Sequence, residues 1–397
     1  MTFRETDGIP PPDEPPDPYD TEGAIQYRLH RLRVDREARR RLDDEDQPAI
    51  VLPPVKTLDD LLGEPDAETA YCIEGLAPAG GRVLTSAQYK AGKTTIVNNL
   101  VRSMADKEPF LGRFAVNTPA SRIVLIDNEL SERTLRRWLR DQNIDNTAAV
   151  ADVQSLRGKV GTFNLLDERC RKRWATRLRE IGCDYPILDC LRPVLDALGL
   201  DENRDVGKFL IAFDALLDEA DIPDANVVHH MGHAGERARG DSRLQDWPDA
   251  IWRLVRENDQ PDSARYFSAF GRDVDVPEGR LDYDHSTRWL TYNNGSRTDA
   301  KVDAAQAALI ELLAAAALNG AGPMSKSAIE AALEGDDHPR NAIRNAISKS
   351  VKNTSVSVED GPRNSKLHRI ANPCEQCGKP VAVGGSRHQS CPPEGLF

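Results

Sequence analysis

Lys93 and Thr94 follow Gly92 in the stretch Thr85-Ser86-Ala87-Gln88-Tyr89-Lys90-Ala91-Gly92-Lys93-Thr94-Thr95. A short apolar strand, Arg82-Val83-Leu84, runs into it, and an amphipathic helix from Ile96 to Met104 leaves it. Strand, tight loop, Gly-Lys-Thr and helix is the grammar of a phosphate-binding P-loop. Backbone N–H groups of Ala87, Gln88, Tyr89, Lys90, Ala91, Gly92, Lys93, Thr94 and Thr95, with the open helix N-terminus, favour an anion at one spot. ATP is the expected ligand: Lys93 reaches its β- and γ-phosphates, and the Thr94 hydroxyl helps hold Mg²⁺. Ala87 stands where the pattern has its opening glycine. Alanine tolerates positive φ less well, so the first turn of the loop is expected to be shaped differently.

Hydrolysis needs acidic groups as well. Asp189 closes the apolar run Ile187-Leu188 and is the expected anchor for the water shell of Mg²⁺. A second carboxylate must orient and polarise the attacking water. Glu129 sits just past the run Val124–Asp127, at the sheet edge where such folds place their ligands, and has a longer arm than its competitor Asp127. His229 and His230 both end the run Val227-Val228, where a side chain can sense the γ-phosphate.

A different chemistry sits in the tail. Cys374-x-x-Cys377 and His388-x-x-Cys391 are separated by ten residues, in a stretch too short for a core of its own. That spacing fits a tetrahedral Cys₃His zinc site, structural because no coordination position is left open. Cys72, Cys170, Cys183 and Cys190 lack partners at ligand spacing and read as core thiols.

These residues require elements to carry them. Apolar runs at Arg82–Leu84, Arg122–Ile126, Tyr185–Asp189 and Ala225–Val228 alternate with helical patterns, among them a helix capped by Ser131, one from Asp167 to Ile181 and one from Asp205 to Ala220. Alternation of this kind implies an α/β fold, a parallel sheet covered on both faces. Beyond Ala250 the rhythm changes to short strands at Ile251–Val255, Tyr266–Phe270 and Trp289–Tyr292, which suggests an antiparallel extension of the same sheet. Leu61, Leu62, Tyr71, Ile73 and Leu76 are expected to pack onto this core.

Four segments follow from composition. Residues 1–48 read as an arm, proline-rich and disordered to about residue 21 and then a charged helix from Glu22 to Asp46. Residues 49–295 hold the nucleotide-binding core, residues 300–371 a winged-helix-like domain of three helices and a hairpin, and residues 372–397 the zinc-knuckle tail. The third helix and wing carry Arg340, Arg344, Lys349, Lys352, Arg363, Lys366 and Arg369 against Glu359 and Asp360, a local excess of positive charge suited to DNA. The whole chain of 397 residues has a net charge of −12, which argues against a surface coating nucleic acid nonspecifically. No secretion signal or membrane-length apolar run is read, and an odd cysteine count does not suggest a disulfide framework, so the cytoplasm is the expected compartment.

The set Ala87–Thr95, Ile126-Asp127-Asn128-Glu129, Leu188-Asp189, Asp201-Glu202-Asn203, His229-His230, Arg239-Gly240-Asp241-Ser242, Asp246-Trp247 and Gly271-Arg272-Asp273 resembles the RepA-like branch of the RecA/DnaB superfamily, over about residues 55–293. The resemblance implies a RecA-like core that assembles into a ring, usually a hexamer, and couples ATP hydrolysis to DNA movement in the replication of phages, plasmids or mobile elements. It implies Glu129 as catalytic base, Asp189 as the Mg²⁺ aspartate and His230 as sensor. Such rings complete each site with an arginine of the next subunit; Arg272 is the first choice, with Arg239 and Arg253 as alternatives. The loop Met231–Leu244, which holds Arg239, is expected to face the channel and track a single strand, or else to lie over ATP as a lid. A helicase, a nucleotide-gated replication initiator or loader, and a recombinase-like filament all remain compatible with these residues.

Overall fold

The computed structural model describes residues 20–46, 54–65, 70–231, 242–258, 260, 262–334, 338–382 and 385–391. The chain divides into two units, Met1–Asp66 and Ala67–Phe397. The proline-rich residues 1–19 lie outside the described residues.

The first unit holds α1 (Thr21–Asp46) and α2 (Leu58–Leu62). Along α1 the apolar side chains are exposed, Ile25, Leu29, Leu32 and Leu42 among them. Thr57 starts α2 with a capping box: its hydroxyl accepts from Asp60 N, and the Asp60 carboxylate accepts from Thr57 N. Leu61 and Leu62 are exposed rather than packed on a core, which corrects the expectation for them. Five residues give a helix too short to turn both leucines onto one buried face.

The second unit begins with the hairpin β1 (Tyr71–Ile73) and β2 (Ala77–Pro78) and continues through β3 (Arg82–Ala87), α3 (Lys93–Asp106), β4 (Ile123–Asp127), α4 (Glu132–Asp141), β5 (Val150–Ser155) and α5 (Glu168–Ile181). Then come β6 (Tyr185–Asp189), α6 (Leu191–Ala197), α7 (Val206–Glu219), β7 (Ala225–His230), α8 (Arg243–Asp246), β8 (Ala250–Arg256), β9 (Arg265–Gly271), β10 (Val274–Tyr283) and β11 (Leu290–Asn293). Nine of these strands form one sheet in the order β11-β10-β9-β8-β3-β7-β6-β4-β5. From β5 to β8 neighbours are parallel, and from β8 to β11 they are antiparallel. This is the α/β sheet with antiparallel extension that the sequence implies, consistent with a RecA-like P-loop core.

Adjacent residues of each inner strand feed opposite faces. Val83, Leu125 and Ile187 join one apolar cluster with Ile96, Leu100, Trp252 and Phe267, whereas Leu84, Val124 and Leu188 join another with Leu178, Phe209, Phe213 and Leu216. Strands buried on both faces need continuous apolar runs, and β4 is buried at every position. The sequence reading missed β5 and β10. Strand β5 is the sheet edge, mostly half-buried and polar, so it shows no apolar run. Strand β10 carries Pro277 and Gly279 at a register shift, both of which read as strand breakers.

Helices α9 (Arg297–Leu318), α10 (Lys326–Glu334) and α11 (Arg340–Lys352) then pack with a small sheet of β12 (Met324–Ser325), β13 (Val356–Asp360) and β14 (Lys366–Ile370), ordered β12-β14-β13. Leu309, Leu313, Ile329, Ile343, Ile347, Val356 and Ile370 fill its separate core. The Ser296 capping box at α9 sets the start of this segment.

Candidate nucleotide site and a four-ligand cluster

Register brings the sheet's chemistry to one edge. Ala87 at the end of β3 lies opposite His230 on β7, and Asp127 at the end of β4 lies opposite Asp189 on β6. All four strands are parallel, so their C-terminal ends share one side, where open α/β sheets bind ligands.

The loop between β3 and α3 is built without strain at Ala87. That residue is buried and is the last of β3, its carbonyl accepting from Met231 N at 2.8 Å, and its φ is not positive. The alanine therefore leaves the loop's entry extended, and the expected reshaping of a glycine turn does not arise. Left-handed backbone falls instead at Lys90, with φ 58°, and at Gly92, the N-cap of α3, with φ 103°. The first turn of α3 presents the N–H groups of Lys93, Thr94 and Thr95 without intrahelical acceptors. These face a cleft of about 630 Å³ lined by Gln88–Lys90, Gly92–Thr95, Glu129, Trp138, Arg192, Glu202 and His230.

Inside the cleft Lys93 is the hub. Its Nζ lies 2.9 Å from Glu129 Oε2, 3.2 Å from His230 Nε2 and 3.9 Å from Asp189 Oδ1. Burial opposes its charge, but the carboxylates of Asp189 and Glu129 outweigh that and hold the ammonium up at about 12. Glu129 is fixed from several sides: His230 Nε2 and Cys190 Sγ both stand 3.2 Å from its Oε1. The contact with His230, helped by the Lys93 ammonium and opposed by burial, pulls the Glu129 carboxyl from 4.5 down to about 2. Asp127, the competitor, is turned inward, its Oδ1 accepting from Glu129 N and Leu130 N at 2.9 and 2.6 Å. It shapes the turn that presents Glu129.

Asp189 is fully buried, and neither carboxylate oxygen makes a hydrogen bond of good geometry among the described residues. Burial pushes its carboxyl up to about 7, with the Lys93 ammonium drawing it back. A buried carboxylate with only a lysine and the Thr94 hydroxyl beside it fits a group that a divalent cation and its waters would complete. The residues present therefore fit Mg²⁺ with a nucleotide.

Several residues of the cleft escaped sequence reasoning. Cys190 reads as a core thiol, yet it donates to Glu129, and burial pushes its thiol up so that it stays a donor. Arg192 pairs with Asp196 and Glu202, and Glu202 Oε1 meets the buried His229 Nε2 at 2.8 Å. The histidine pair is thus divided: His230 faces the cleft and His229 is held behind it. Strand alternation sends adjacent residues to opposite faces, and it was the only available signal.

The other candidate residues lie elsewhere. Arg272 sits in the turn from β9 to β10 and pairs with Asp249, at the sheet end opposite the cleft. Any part it takes in hydrolysis is therefore in a neighbouring copy's cleft. Arg253 lies on β8 with its guanidinium over the Phe270 ring at 4.2 Å. Arg239, with residues 232–241 of its loop, lies outside the described residues. Five of the seven basic residues of α11 and the hairpin are tied locally: Arg340 to Glu334, Arg344 to Glu330, Lys349 to Asp303, Lys366 to Asp360 and Arg369 to Glu359. The local charge excess counted on α11 and the hairpin alone is reduced, not cancelled, by Asp303 of α9 and by Glu330 and Glu334 of α10.

In the tail, one donor atom from each of Cys374, Cys377, His388 and Cys391 lies within 4.8 Å of all the others. Cys377 Sγ stands 3.4 Å from His388 Nδ1, and His388 Nε2 stands 3.0 Å from Pro380 O. The carbonyl fixes the ring so that Nδ1 faces the cluster. Backbone N–H groups of Cys377, Gln376 and His388 draw the Cys374 thiol down to about 5. This knuckle rests on α9: Lys379 pairs with Glu311, and Gly378, at φ 69°, runs so close that a Cβ would meet Ala314 O at 2.4 Å.

Comparison with known proteins adds one family. A family model described as AAA domain matches residues 22–236. The crystal structure of a KaiC-like protein from the hyperthermophilic archaeon Pyrococcus horikoshii OT3 aligns at 16% identity with a TM-score of 0.42, covering 56% of this chain and 94% of that one. No curated protein matches the chain. Among the described residues no helix is long and apolar enough to cross a membrane.

Proposed function

The chain belongs to the AAA-domain family, and from that premise we propose that it is an ATP-hydrolysing, DNA-dependent motor, a helicase of the RepA/DnaB type. It acts in the cytoplasm as a ring of copies, a hexamer, during replication of phage, plasmid or mobile-element DNA. The carrying observation is the convergence of Lys93, Glu129, Asp189 and His230 from four strand ends on one cleft. A protein that only senses nucleotide needs the cradle; the additional placed carboxylate and histidine support turnover.

The cleft suggests a sequence of events. Phosphates entering the N–H cradle compete with Glu129 for the Lys93 ammonium. Once released, Glu129 keeps its contacts with His230 and Cys190 and so stays aimed into the cleft. It then accepts the proton of the water that attacks the γ-phosphate. Thr94 and Asp189 would hold Mg²⁺, which would supply positive charge to the nucleotide's phosphates. His230, bonded to Glu129 and 3.2 Å from Lys93, reports whether the γ-phosphate is present. Arg272 is the candidate for a trans arginine.

Residues 300–371 serve as a winged helix whose Arg340, Arg344, Lys349 and Lys366 exchange their surface carboxylates for DNA phosphates, because exposed ion pairs are worth only about 0–1 kcal/mol. Residues 372–397 carry a structural Zn²⁺ on Cys374, Cys377, His388 and Cys391. The deciding experiment is strand displacement beside ATP turnover, each with and without single-stranded DNA. DNA-stimulated turnover and unwinding, both lost in Lys93→Ala, support the motor. Turnover without unwinding supports the initiator or loader reading instead.

A further inference from the structure

Helix α4 carries Arg133, Arg136, Arg137 and Arg140, spaced i, i+3, i+4 and i+7, which places all four on one face. The opposite face is anchored: Leu135 is buried and Leu139 packs on the same core. All four arginines are exposed, and with Thr134 they line a surface cleft of about 320 Å³. Arg136 pairs with Glu132, while Arg133, Arg137 and Arg140 make no ion pair or side-chain hydrogen bond among the described residues. They contrast with Arg340, Arg344, Lys349, Lys366 and Arg369 of the C-terminal segment, which already hold carboxylates. The stripe stands out in a chain of net charge −12.

We propose that the arginine face of α4 binds the sugar-phosphate backbone of a nucleic-acid strand. From Arg133 to Arg140 the helix rises about 10 Å, seven residues at about 1.5 Å each, which matches about three nucleotides at about 3.4 Å along a strand. Arginine presents a fork that grips phosphate bidentately. The face holds none of the large exposed apolar side chains found elsewhere on the surface. A protein interface needs an apolar centre depleted of charge, whereas a polyanion needs only this stripe. The assignment rests on the reading that the chain handles nucleic acid, and the test separates the two.

The measurement is anisotropy of a labelled single-stranded oligonucleotide against the full chain with a non-hydrolysable ATP analogue, over a range of salt. Wild type is compared with the triple variants Arg133→Ala/Arg137→Ala/Arg140→Ala and Arg133→Lys/Arg137→Lys/Arg140→Lys. The alanine variant should keep wild-type ATP affinity, which also shows that it folds, and lose at least about tenfold in oligonucleotide affinity at about 100 mM salt. Its slope of log affinity against log salt should be shallower by about 2, three contacts at about 0.7 each, and the lysine variant should recover most of that slope. Equal affinity in wild type and alanine variant would overturn the stripe and leave the DNA reading standing. No binding by wild type would overturn both. Unchanged affinity with a changed oligomeric state on sedimentation would make α4 a contact between copies, and that too overturns the proposal.

Discussion

Replacing Glu129 by glutamine should separate binding from hydrolysis, and in opposite directions. The side chain keeps its shape and can still meet His230 and Cys190, each 3.2 Å from the Oε1 position. What disappears is the negative charge 2.9 Å from Lys93. A charge-assisted hydrogen bond is worth about 1.5–3 kcal/mol net and a neutral one about 0.5–1.5 kcal/mol. The lysine is therefore released for phosphate by about 1–1.5 kcal/mol, or close to tenfold in affinity. Hydrolysis moves the other way. An amide cannot take the proton of the attacking water, and a positioned base contributes about 10²–10⁴-fold. The assay is ATP affinity by calorimetry with magnesium and turnover by phosphate release, on one preparation of each protein. Tighter ATP binding, up to about tenfold, with turnover down by at least about a hundredfold, is expected. Turnover within about threefold of wild type, or ATP bound more weakly, would refute the role given to this carboxylate.

The same carboxylate sets an acid limb of stability. Its value is lowered from 4.5 to about 2, so its contribution is whole above pH 4.5 and is lost as pH falls towards 2. Denaturant midpoints of wild type and Glu129→Gln should accordingly differ by a constant amount above pH 5 and converge below it. At Gly92, φ is 103° and an added Cβ would lie 3.7 Å from Arg265 Nε. Gly92→Ala should cost about 1–2 kcal/mol of local strain and weaken ATP binding by at least about tenfold with little change in overall fold by circular dichroism. Purified wild type should carry one equivalent of zinc by metal analysis, and Cys374→Ser should carry much less; equal zinc in both would remove the tail assignment.

The inner strands were legible because a strand buried on both faces must be apolar throughout, and Ile123–Asp127 and Tyr185–Asp189 announce themselves that way. Their ends, in turn, pointed to Glu129, Asp189 and His230, because a parallel sheet delivers all its strand ends to one side. Polar and kinked strands were not legible. The edge strand Val150–Ser155 has too little burial to impose a pattern, and Val274–Tyr283 bends at Pro277. Pairings across the fold were hidden for a different reason. Glu330 and Glu334 neutralise Arg344 and Arg340 from another helix, a partnership that local charge counts along one element cannot register. Arg192 entered the cleft unannounced because its place in the sequence carries no period of its own.

Calorimetry of ATP with magnesium against wild type and Lys93→Ala tests the nucleotide cleft most directly. The arrangement of Lys93, Glu129, His230 and Asp189 predicts one site per chain in the wild type, weakened at least about a hundredfold when the lysine is removed from a cradle that otherwise persists. Equal affinity in the two proteins, or none in the wild type, would contradict it.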